Sequence, residues 1–180
     1  MQASLDTGCR MRCATSKYTK IRVENVAKSK IIVTAGAIIR DRAGRVLLQK
    51  RSDYGNWGLP GGGMEPGEAI EDTMIREVNE ETGLVVERYE LYSIYSGERM
   101  HYTYPDGNEV VFVMFLFNAA VNLEGKLEED GKTLRFRDEA GESAALEFKR
   151  LEQIDTAQIS TVQRPVFEDL LLKKNVLLRK

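Results

Sequence analysis

The alternation of hydrophobic and polar positions divides most of the chain into predicted strands and helices. Segments 30–41 (KIIVTAGAIIRD) and 46–51 (VLLQKR) are apolar and rich in β-branched residues, which is typical of buried strands. The short turn at 42–45 between them predicts a hairpin. The run 110–117 is apolar throughout, so we predict a central strand that is covered on both faces.

A helix is predicted from Ala69 to Thr82, after an irregular stretch rich in turn residues at 52–68. Its apolar residues recur every four positions: Ile70, Met74 and Val78. Gly83 follows at the place where a helix is expected to end.

The second half of the chain mixes strands with one further helix. We predict strands at 85–104 and 109–121, joined by the turn 105–108, and another strand within 144–154. The charged segment 124–143 predicts a loop or exposed hairpin, and 164–178 predicts a closing amphipathic helix. Because the pattern has no regular βαβ alternation, we expect an α/β (α+β) fold with a mixed sheet and helices on both faces.

Composition and charge are those of one domain with a basic arm. The chain has 180 residues, and residues 1–30 carry seven Lys and Arg against two acidic residues, which leaves a net charge of −7 on the remainder. We therefore predict an N-terminal arm at 1–30 and a single domain at 31–180. No secretory signal or membrane-length apolar run is seen, so a cytoplasmic protein is expected. Cys9 and Cys13 form neither a zinc pattern nor a disulfide framework.

Three glutamates share one face of the predicted helix. At ~100° per residue, Glu81 lies about 40° from Glu77, and Glu80 about 60° to the other side. If this face is partly buried, two such charges ~5 Å apart repel by roughly 3 kcal/mol at an effective dielectric of about 20. Mg²⁺ or Mn²⁺, which prefer carboxylate oxygens, would remove that cost. The spacing alone leaves a solvated acidic face as the alternative.

Three consecutive glycines, 61–63, precede this helix. Glycine lets the backbone turn sharply and approach another group closely. The run is therefore either an ordinary turn or a cradle that holds a phosphate beside a metal ion.

The glycines and glutamates belong to one longer pattern, G-x5-E-x7-R-E-U-x-E-E-x-G-U with U apolar. The chain matches it at every specified position: Gly62, Glu68, Arg76, Glu77, Val78, Glu80, Glu81, Gly83 and Leu84. This is the Nudix box, and the chain resembles the Nudix family. WGLPGG before the box and ISTVQRPVFEDLL near the C-terminus also look like members of this family, so the resemblance covers about residues 31–172.

The resemblance implies an α/β/α sandwich and a Mg²⁺-dependent hydrolase, with Mn²⁺ as a substitute. Such an enzyme cleaves the pyrophosphate linkage of a nucleoside diphosphate joined to another group, as in a nucleoside triphosphate or a dinucleoside polyphosphate. The implied metal ligands are Glu77, Glu80, Glu81 and the carbonyl of Gly61.

The implied catalytic residues include the same glutamates. Glu77 is the first candidate for the general base, and Glu81 belongs to the same set. The strand-borne Glu147 is the runner-up. Arg76 would orient the glutamates, and Glu68 would stabilise the junction between loop and helix.

The sequence specifies the nucleotide less closely. Arg51 is expected to reach a phosphate, Trp57 or Tyr54 to stack on a base and Gly62 to approach the substrate, with loop packing as the alternative role of Trp57. Tyr102 lies near the place where dinucleoside polyphosphate hydrolases of this family carry a tyrosine, with a packed strand residue as the alternative. A 5′-phosphorylated RNA as substrate and a homodimer are left open.

Two other functions are compatible with the resemblance. One is a nucleotide-sensing Nudix domain without turnover, whose usual mark is a degraded box. The other resembles isopentenyl-diphosphate isomerase, which needs a catalytic cysteine near the core. The intact box and the terminal position of both cysteines favour the hydrolase.

Overall fold

The structure is a computed structural model that describes residues 30–136, 141–174 and 176–179. Residues 1–29, which hold most of the predicted arm and both cysteines, lie outside the described residues. Within the described ranges the chain forms nine strands and two α-helices. In chain order these are β1 (Lys30–Ile39), β2 (Val46–Arg51), β3 (Trp57–Gly58), β4 (Gly61–Gly63), α1 (Ile70–Thr82), β5 (Val86–Tyr95), β6 (His101–Thr103), β7 (Glu109–Val121), β8 (Ser143–Lys149), α2 (Arg164–Leu171) and β9 (Leu178–Arg179).

The strands form two sheets. The larger sheet has the order β4-β1-β7-β5-β9, with β6 also paired to β7, and the smaller has the order β3-β2-β8. The pairs β1/β7 and β5/β9 are parallel, and the pairs β1/β4, β5/β7 and β6/β7 are antiparallel. The predicted mixed sheet is therefore confirmed, and β7 is its central strand.

The two helices cover opposite faces of the sheet. Ala35, Ala37 and Ile39 of β1 pack in one core cluster with α1, whereas Ile38 packs in a second cluster with α2. This alternation follows from the two-residue period of a strand. The α/β/α arrangement is thus confirmed. None of the described helices has the length and apolar character needed to cross a membrane.

The predicted hairpin between the first two strands is wrong. Arg40 and Val46 form one isolated bridge, but β1 and β2 belong to different sheets. Both edges of β1 are already occupied, by β4 on one side and β7 on the other. The strand β2 instead pairs with β3 and β8.

Two other predicted elements are shorter in the structure. The strand predicted at 85–104 divides into β5 and β6, with a 3₁₀ turn at Glu98–Met100 between them. The closing helix ends at Leu171 because Lys173 turns the chain with a positive φ of 50°. The following residues reach β9, where Arg179 is buried against Asp169 with Nη1 and Oδ2 3.3 Å apart.

Candidate active site

The position of the predicted carboxylates follows from the way α1 packs. Met74 and Val78 are fully buried, and they fix the rotation of the helix against β1. Gly83 ends the helix in a left-handed conformation, with φ of 65°, and its N–H donates to the carbonyl of Asn79. The predicted helix is confirmed, and its acidic face lies toward β4.

Arg76 connects the acidic face to the preceding loop. Its five N–H groups make five hydrogen bonds, the full donor capacity of a guanidinium. Nε and Nη2 donate to the Glu68 carboxylate at 2.9 and 3.1 Å, and Nη2 also donates to the Gly63 carbonyl at 3.0 Å. Nη1 donates to Glu77 at 2.9 Å and to Glu80 at 3.0 Å. One side chain thus fixes three carboxylates relative to the glycine strand.

Glu68 anchors this arrangement from the loop before α1. Hydrogen bonds from Arg76, from the N–H of Glu65 and from the hydroxyl of Thr73 lower the pKa of Glu68 to about 2. The carboxylate is therefore charged at any physiological pH, and it holds Arg76 in place.

Glu81 is buried beside the glycine strand. Its side chain accepts a hydrogen bond of 2.8 Å from the N–H of Gly61, and the residue is only 6% exposed. Burial raises the pKa of Glu81 to about 7, although hydrogen bonds from Gly61 and Gln49 act in the opposite direction. A buried carboxylate with a raised pKa is stabilised in its charged form by a nearby cation.

Glu77 lies against Gly62. A Cβ at Gly62 would be 2.5 Å from the Glu77 carboxylate, so the absence of a side chain there is what gives Glu77 its place. Burial raises the pKa of Glu77, and the bond from Arg76 only partly offsets this effect. Glu80 is the outermost of the three, with 59% of its side chain exposed.

The three glycines form a strand rather than the predicted irregular loop. Gly61, Gly62 and Gly63 pair with Gly36, Ala35 and Thr34. Gly61 has a φ of +145°, and a Cβ there would lie 2.3 Å from the carbonyl oxygen of Ala35. Glycine is required because the two backbones approach so closely.

The donor set suits a hard divalent cation. Glu77 and Glu81 supply carboxylate oxygens from one half-buried face, and burial raises the pKa of both, as expected of carboxylates that lack a sufficient positive partner. In the described residues no three His, Cys, Asp or Glu side chains are gathered closely enough to hold a metal ion. Arg76 engages the carboxylates of Glu77 and Glu80, and the Gly61 N–H engages that of Glu81. Binding of a cation therefore requires the side chains to turn away from these partners.

A two-armed cleft opens next to the glycine strand. The polar arm has a volume of about 360 Å³, and Arg51, Asp53, Asn56 and Tyr102 are among its lining residues. The apolar arm, of about 280 Å³, is bordered by residues 61–63 and floored by β1 and β7. The two arms share seven lining residues: Leu59, Gly61, Tyr104, Phe112, Ser160, Val162 and Gln163. The cleft is thus continuous along the strand that contacts Glu77 and Glu81.

Three of the four predicted substrate residues, Arg51, Gly62 and Tyr102, line this cleft. Trp57 does not line either described arm. Its ring instead lies beneath the ammonium group of Lys149, 4.0 Å from the ring centre. Its stacking role stays a prediction, and this position argues against it.

Glu147 is also separated from the cleft lining. It pairs with Leu48, which faces the α2 side of the sheet, and its carboxylate accepts a hydrogen bond of 2.7 Å from Lys149. The neighbouring pair, Gln49 with Leu146, faces the α1 side where Glu81 lies. The role of Glu147 as a base stays a prediction that its position does not favour.

Several residues near the site were not found from the sequence. Gln49 is 2% exposed and contacts Glu81. The sequence pattern that could have identified Gln49 is a polar residue at an inward-facing position of an otherwise apolar strand. The charge of Glu142 acts on both Glu77 and Arg51. The side chain of Gln163 accepts a hydrogen bond from the Leu59 N–H and donates one to the Leu59 carbonyl. The two residues are 104 positions apart, so no local sequence pattern predicts this contact.

Comparison with known proteins agrees with this geometry. The family model described as NUDIX domain matches residues 30–170, which include strands β1 to β8, the lining of the cleft and the whole of α1. The chain belongs to the Nudix family. The resemblance drawn from the box is thus confirmed over most of the chain.

Curated Nudix relatives match shorter parts of the chain. A MutT-like protein of Streptomyces ambofaciens is 45% identical over 64 residues, 36% of this chain and 41% of that protein. The ADP-ribose pyrophosphatase of Methanocaldococcus jannaschii is 33% identical over 110 residues, 59% of this chain and 61% of that protein. The nucleoside triphosphatase NudI of Escherichia fergusonii is 36% identical over 97 residues, 48% of this chain and 68% of that protein. The chain spans about half the length of the first curated relatives it matches.

Solved Nudix structures share the fold. A NUDIX hydrolase from Nitrosomonas europaea has a TM-score of 0.59 at 26% identity, and the match covers 82% of this chain and 93% of that one. A MutT protein from Methanosarcina mazei has a TM-score of 0.58 at 24% identity, with 82% and 99% covered. The second comparison supports the fold alone.

Proposed function

We propose that this protein is a Mg²⁺-dependent hydrolase that cleaves the pyrophosphate linkage of a nucleoside diphosphate derivative. The observation that supports it most directly is the contact between Gly61–Gly63 and the carboxylates of Glu77 and Glu81, at the border of a cleft. The relatives named as a nucleoside triphosphatase and as an ADP-ribose pyrophosphatase act on substrates of this class by their names.

The metal ligands in this proposal are Glu77, Glu80, Glu81 and the carbonyl of Gly61. Bound there, Mg²⁺ or Mn²⁺ would neutralise pyrophosphate oxygens and make a water molecule more acidic. Glu81 and Glu77 are buried enough for their charges to act strongly on a substrate. Glu80 lies at the solvent side, where it can turn toward the site.

Arg76 is a positioning residue in this scheme. Its five hydrogen bonds hold Glu77 and Glu80 relative to Gly63, and Glu68 holds Arg76 in turn. These bonds keep the carboxylates beside the glycine strand, so that they have only to turn away from their partners when a cation binds.

Glu77 is the proposed general base. It is half-buried, it borders the glycine strand, and Arg76 holds its carboxylate at 2.9 Å.

Formation of the monophosphate product with Mg²⁺, followed by chromatography, tests the proposal, because cleavage of a pyrophosphate linkage leaves a monophosphate and a second phosphorylated product rather than free phosphate. The panel contains nucleoside triphosphates, dinucleoside polyphosphates, nucleotide sugars and 5′-triphosphorylated RNA. Glu77→Gln should lower kcat by about 10²-fold or more. The matched control is Asp72→Asn, an exposed carboxylate on the same helix, which should retain normal turnover.

The outcomes separate the alternatives. Binding of nucleotide without turnover would favour the sensing domain and contradict the proposed hydrolase. Full activity of Glu77→Gln would contradict the role of Glu77 as the general base. An isomerase would interconvert isopentenyl diphosphate without cleaving a pyrophosphate linkage. A cytoplasmic location and a homodimer stay predictions.

A further inference from the structure

The outer edge of β5 is open over most of its length. One edge of β5 pairs with β7 along the whole strand, but β9 covers the other edge only at Ile94 and Tyr95. No other described segment makes a backbone hydrogen bond to residues 86–92 on that side. Open backbone groups at a sheet edge are a template for pairing with another strand.

The side chains along this edge carry opposite charges in a symmetrical pattern. Arg88 and Glu90 lie on one face of the strand, and Tyr89 lies between them on the other face. Both charged side chains are exposed, and neither makes an ion pair or hydrogen bond with the rest of the described chain. Arg40, which lines the same surface, donates instead to Asn118 at 2.8 Å. Both charges are therefore available to a second molecule.

Two copies of this edge match each other when they pair antiparallel about a two-fold axis at Tyr89. Residues directly opposite in such a pair point to the same face, so Arg88 of each copy faces Glu90 of the other. One pairing thus forms two equivalent ion pairs. A two-fold axis at residue 88 or 90 would instead place two arginines or two glutamates opposite each other, which is unfavourable. The charges select a single register.

The other face and the ends of the segment fit the same register. Tyr89 and Leu91 are 47% and 36% exposed, and on pairing Tyr89 of each copy lies against Tyr89 of the other. Residues 88–91 pair regularly with β7, between the two register shifts of β5. Val86 of one copy faces Tyr92 of the other, so the paired segment ends before the position that β9 occupies.

We propose that two copies of this protein associate through the open edge of β5, residues 86–92, and form one continuous sheet across a two-fold axis at Tyr89. The strand β4, which borders the cleft, lies at the opposite end of the larger sheet. Each copy therefore keeps its own cleft, and the inference does not depend on the proposed hydrolase. Because the paired edge is short, the dimer is a weak one, with a Kd on the order of 1–100 µM.

Sedimentation equilibrium on the full chain, at protein concentrations from about 1 to 300 µM, measures the Kd of the dimer. Arg88→Glu and Glu90→Arg each replace two attractive pairs by two repulsive ones. The double variant Arg88→Glu/Glu90→Arg restores attraction with the signs exchanged. Glu87→Arg is the matched control, because it reverses an exposed charge on the same strand that faces Leu91 in the proposed register.

Each single reversal should raise the Kd about tenfold or more, and the double reversal should return it to within about threefold of the wild-type value. Glu87→Arg should also stay within about threefold. A variant that has lost its fold is not rescued by a second charge reversal, so the double variant separates loss of the interface from loss of the fold.

Four results would overturn the inference. In the first, the wild type remains monomeric at every concentration. In the second, it dimerises with a Kd that the single reversals do not change, which places the interface elsewhere. In the third, the single reversals weaken the dimer but the double reversal does not restore it, so the two charges do not face each other. In the fourth, a monomer protects the amides of residues 86–92 from hydrogen exchange, so another segment of the same chain covers this edge.

Discussion

The three consecutive glycines of β4 should respond differently to the same substitution, alanine. A Cβ at Gly63 meets nothing within 4 Å, one at Gly62 would lie 2.5 Å from the Glu77 carboxylate, and one at Gly61 would lie 2.3 Å from the Ala35 carbonyl oxygen. The first neighbour is solvent, the second is the end of a flexible side chain, and the third is backbone within a sheet. Gly63→Ala is therefore a matched control for the other two.

The magnitudes follow from what must move. Gly61→Ala combines a backbone clash with a φ of +145° that other residues avoid, and each effect costs about 1–3 kcal/mol. We expect a loss of roughly 3 kcal/mol or more in the free energy of unfolding. Gly62→Ala only has to displace the Glu77 carboxylate from its bond to Arg76, at about 1 kcal/mol. Its main effect is on the site, where we expect kcat/KM to fall at least ~30-fold, or about 2 kcal/mol.

Urea unfolding and the rate of monophosphate formation on the three variants check these values. Gly63→Ala should stay within about 0.5 kcal/mol of the wild type and keep its activity. Equal losses of activity in Gly62→Ala and Gly63→Ala would refute the reasoning, because they would show that Glu77 does not depend on the space left by Gly62. A stable Gly61→Ala would refute the close approach of β4 to β1.

Three further predictions concern charge. Arg76→Lys cannot reproduce five N–H donors, so kcat/KM should fall about tenfold or more, and a lysine variant with wild-type kinetics would contradict the positioning role. Burial raises the pKa of Glu81 to about 7, so the carboxylate is protonated below that pH. Mn²⁺ affinity, measured by titration between pH 6 and 8, should therefore fall up to about tenfold for each pH unit below 7. An affinity that does not change with pH would count against Glu81 as a ligand. Burial tends to raise the pKa of Asp169, but the hydrogen bond from Lys174 and the charges of Arg99 and Arg179 outweigh it and lower the pKa overall. Asp169→Asn should therefore destabilise the fold by about 3 kcal/mol near neutral pH. This stabilisation is present above the unfolded pKa of about 4 and lost as the pH falls through the lower folded value, so urea unfolding of variant and wild type should converge in acid.

The local features of the fold were predictable from the sequence. The four-residue spacing of Ile70, Met74 and Val78 predicted α1, and Gly83 marked its end, because both signals lie within the helix itself. The Nudix box placed Arg76 and the three glutamates on one element, and their contacts lie within a few residues or across the adjacent glycine strand.

Features that depend on which distant segments pair with each other were not predictable from the sequence. The hairpin at 42–45 failed because β7, more than sixty residues later in the chain, occupies one edge of β1, and β4 occupies the other. Likewise the side of β8 on which Glu147 lies depends on pairing with the distant strand β2, and the charge of Glu142, in a charged segment, acts on Glu77.

The central claim is that the acidic face of α1 binds a divalent cation, and a Mn²⁺ titration tests it most directly. Free Mn²⁺ is followed by electron paramagnetic resonance in the wild type, Glu77→Gln, Glu81→Gln and the control Asp72→Asn. We predict saturable binding to the wild type and to Asp72→Asn, and affinity at least about tenfold lower in both glutamate variants. Equal Mn²⁺ affinity in all four proteins, or no saturable binding in the wild type, would contradict the claim.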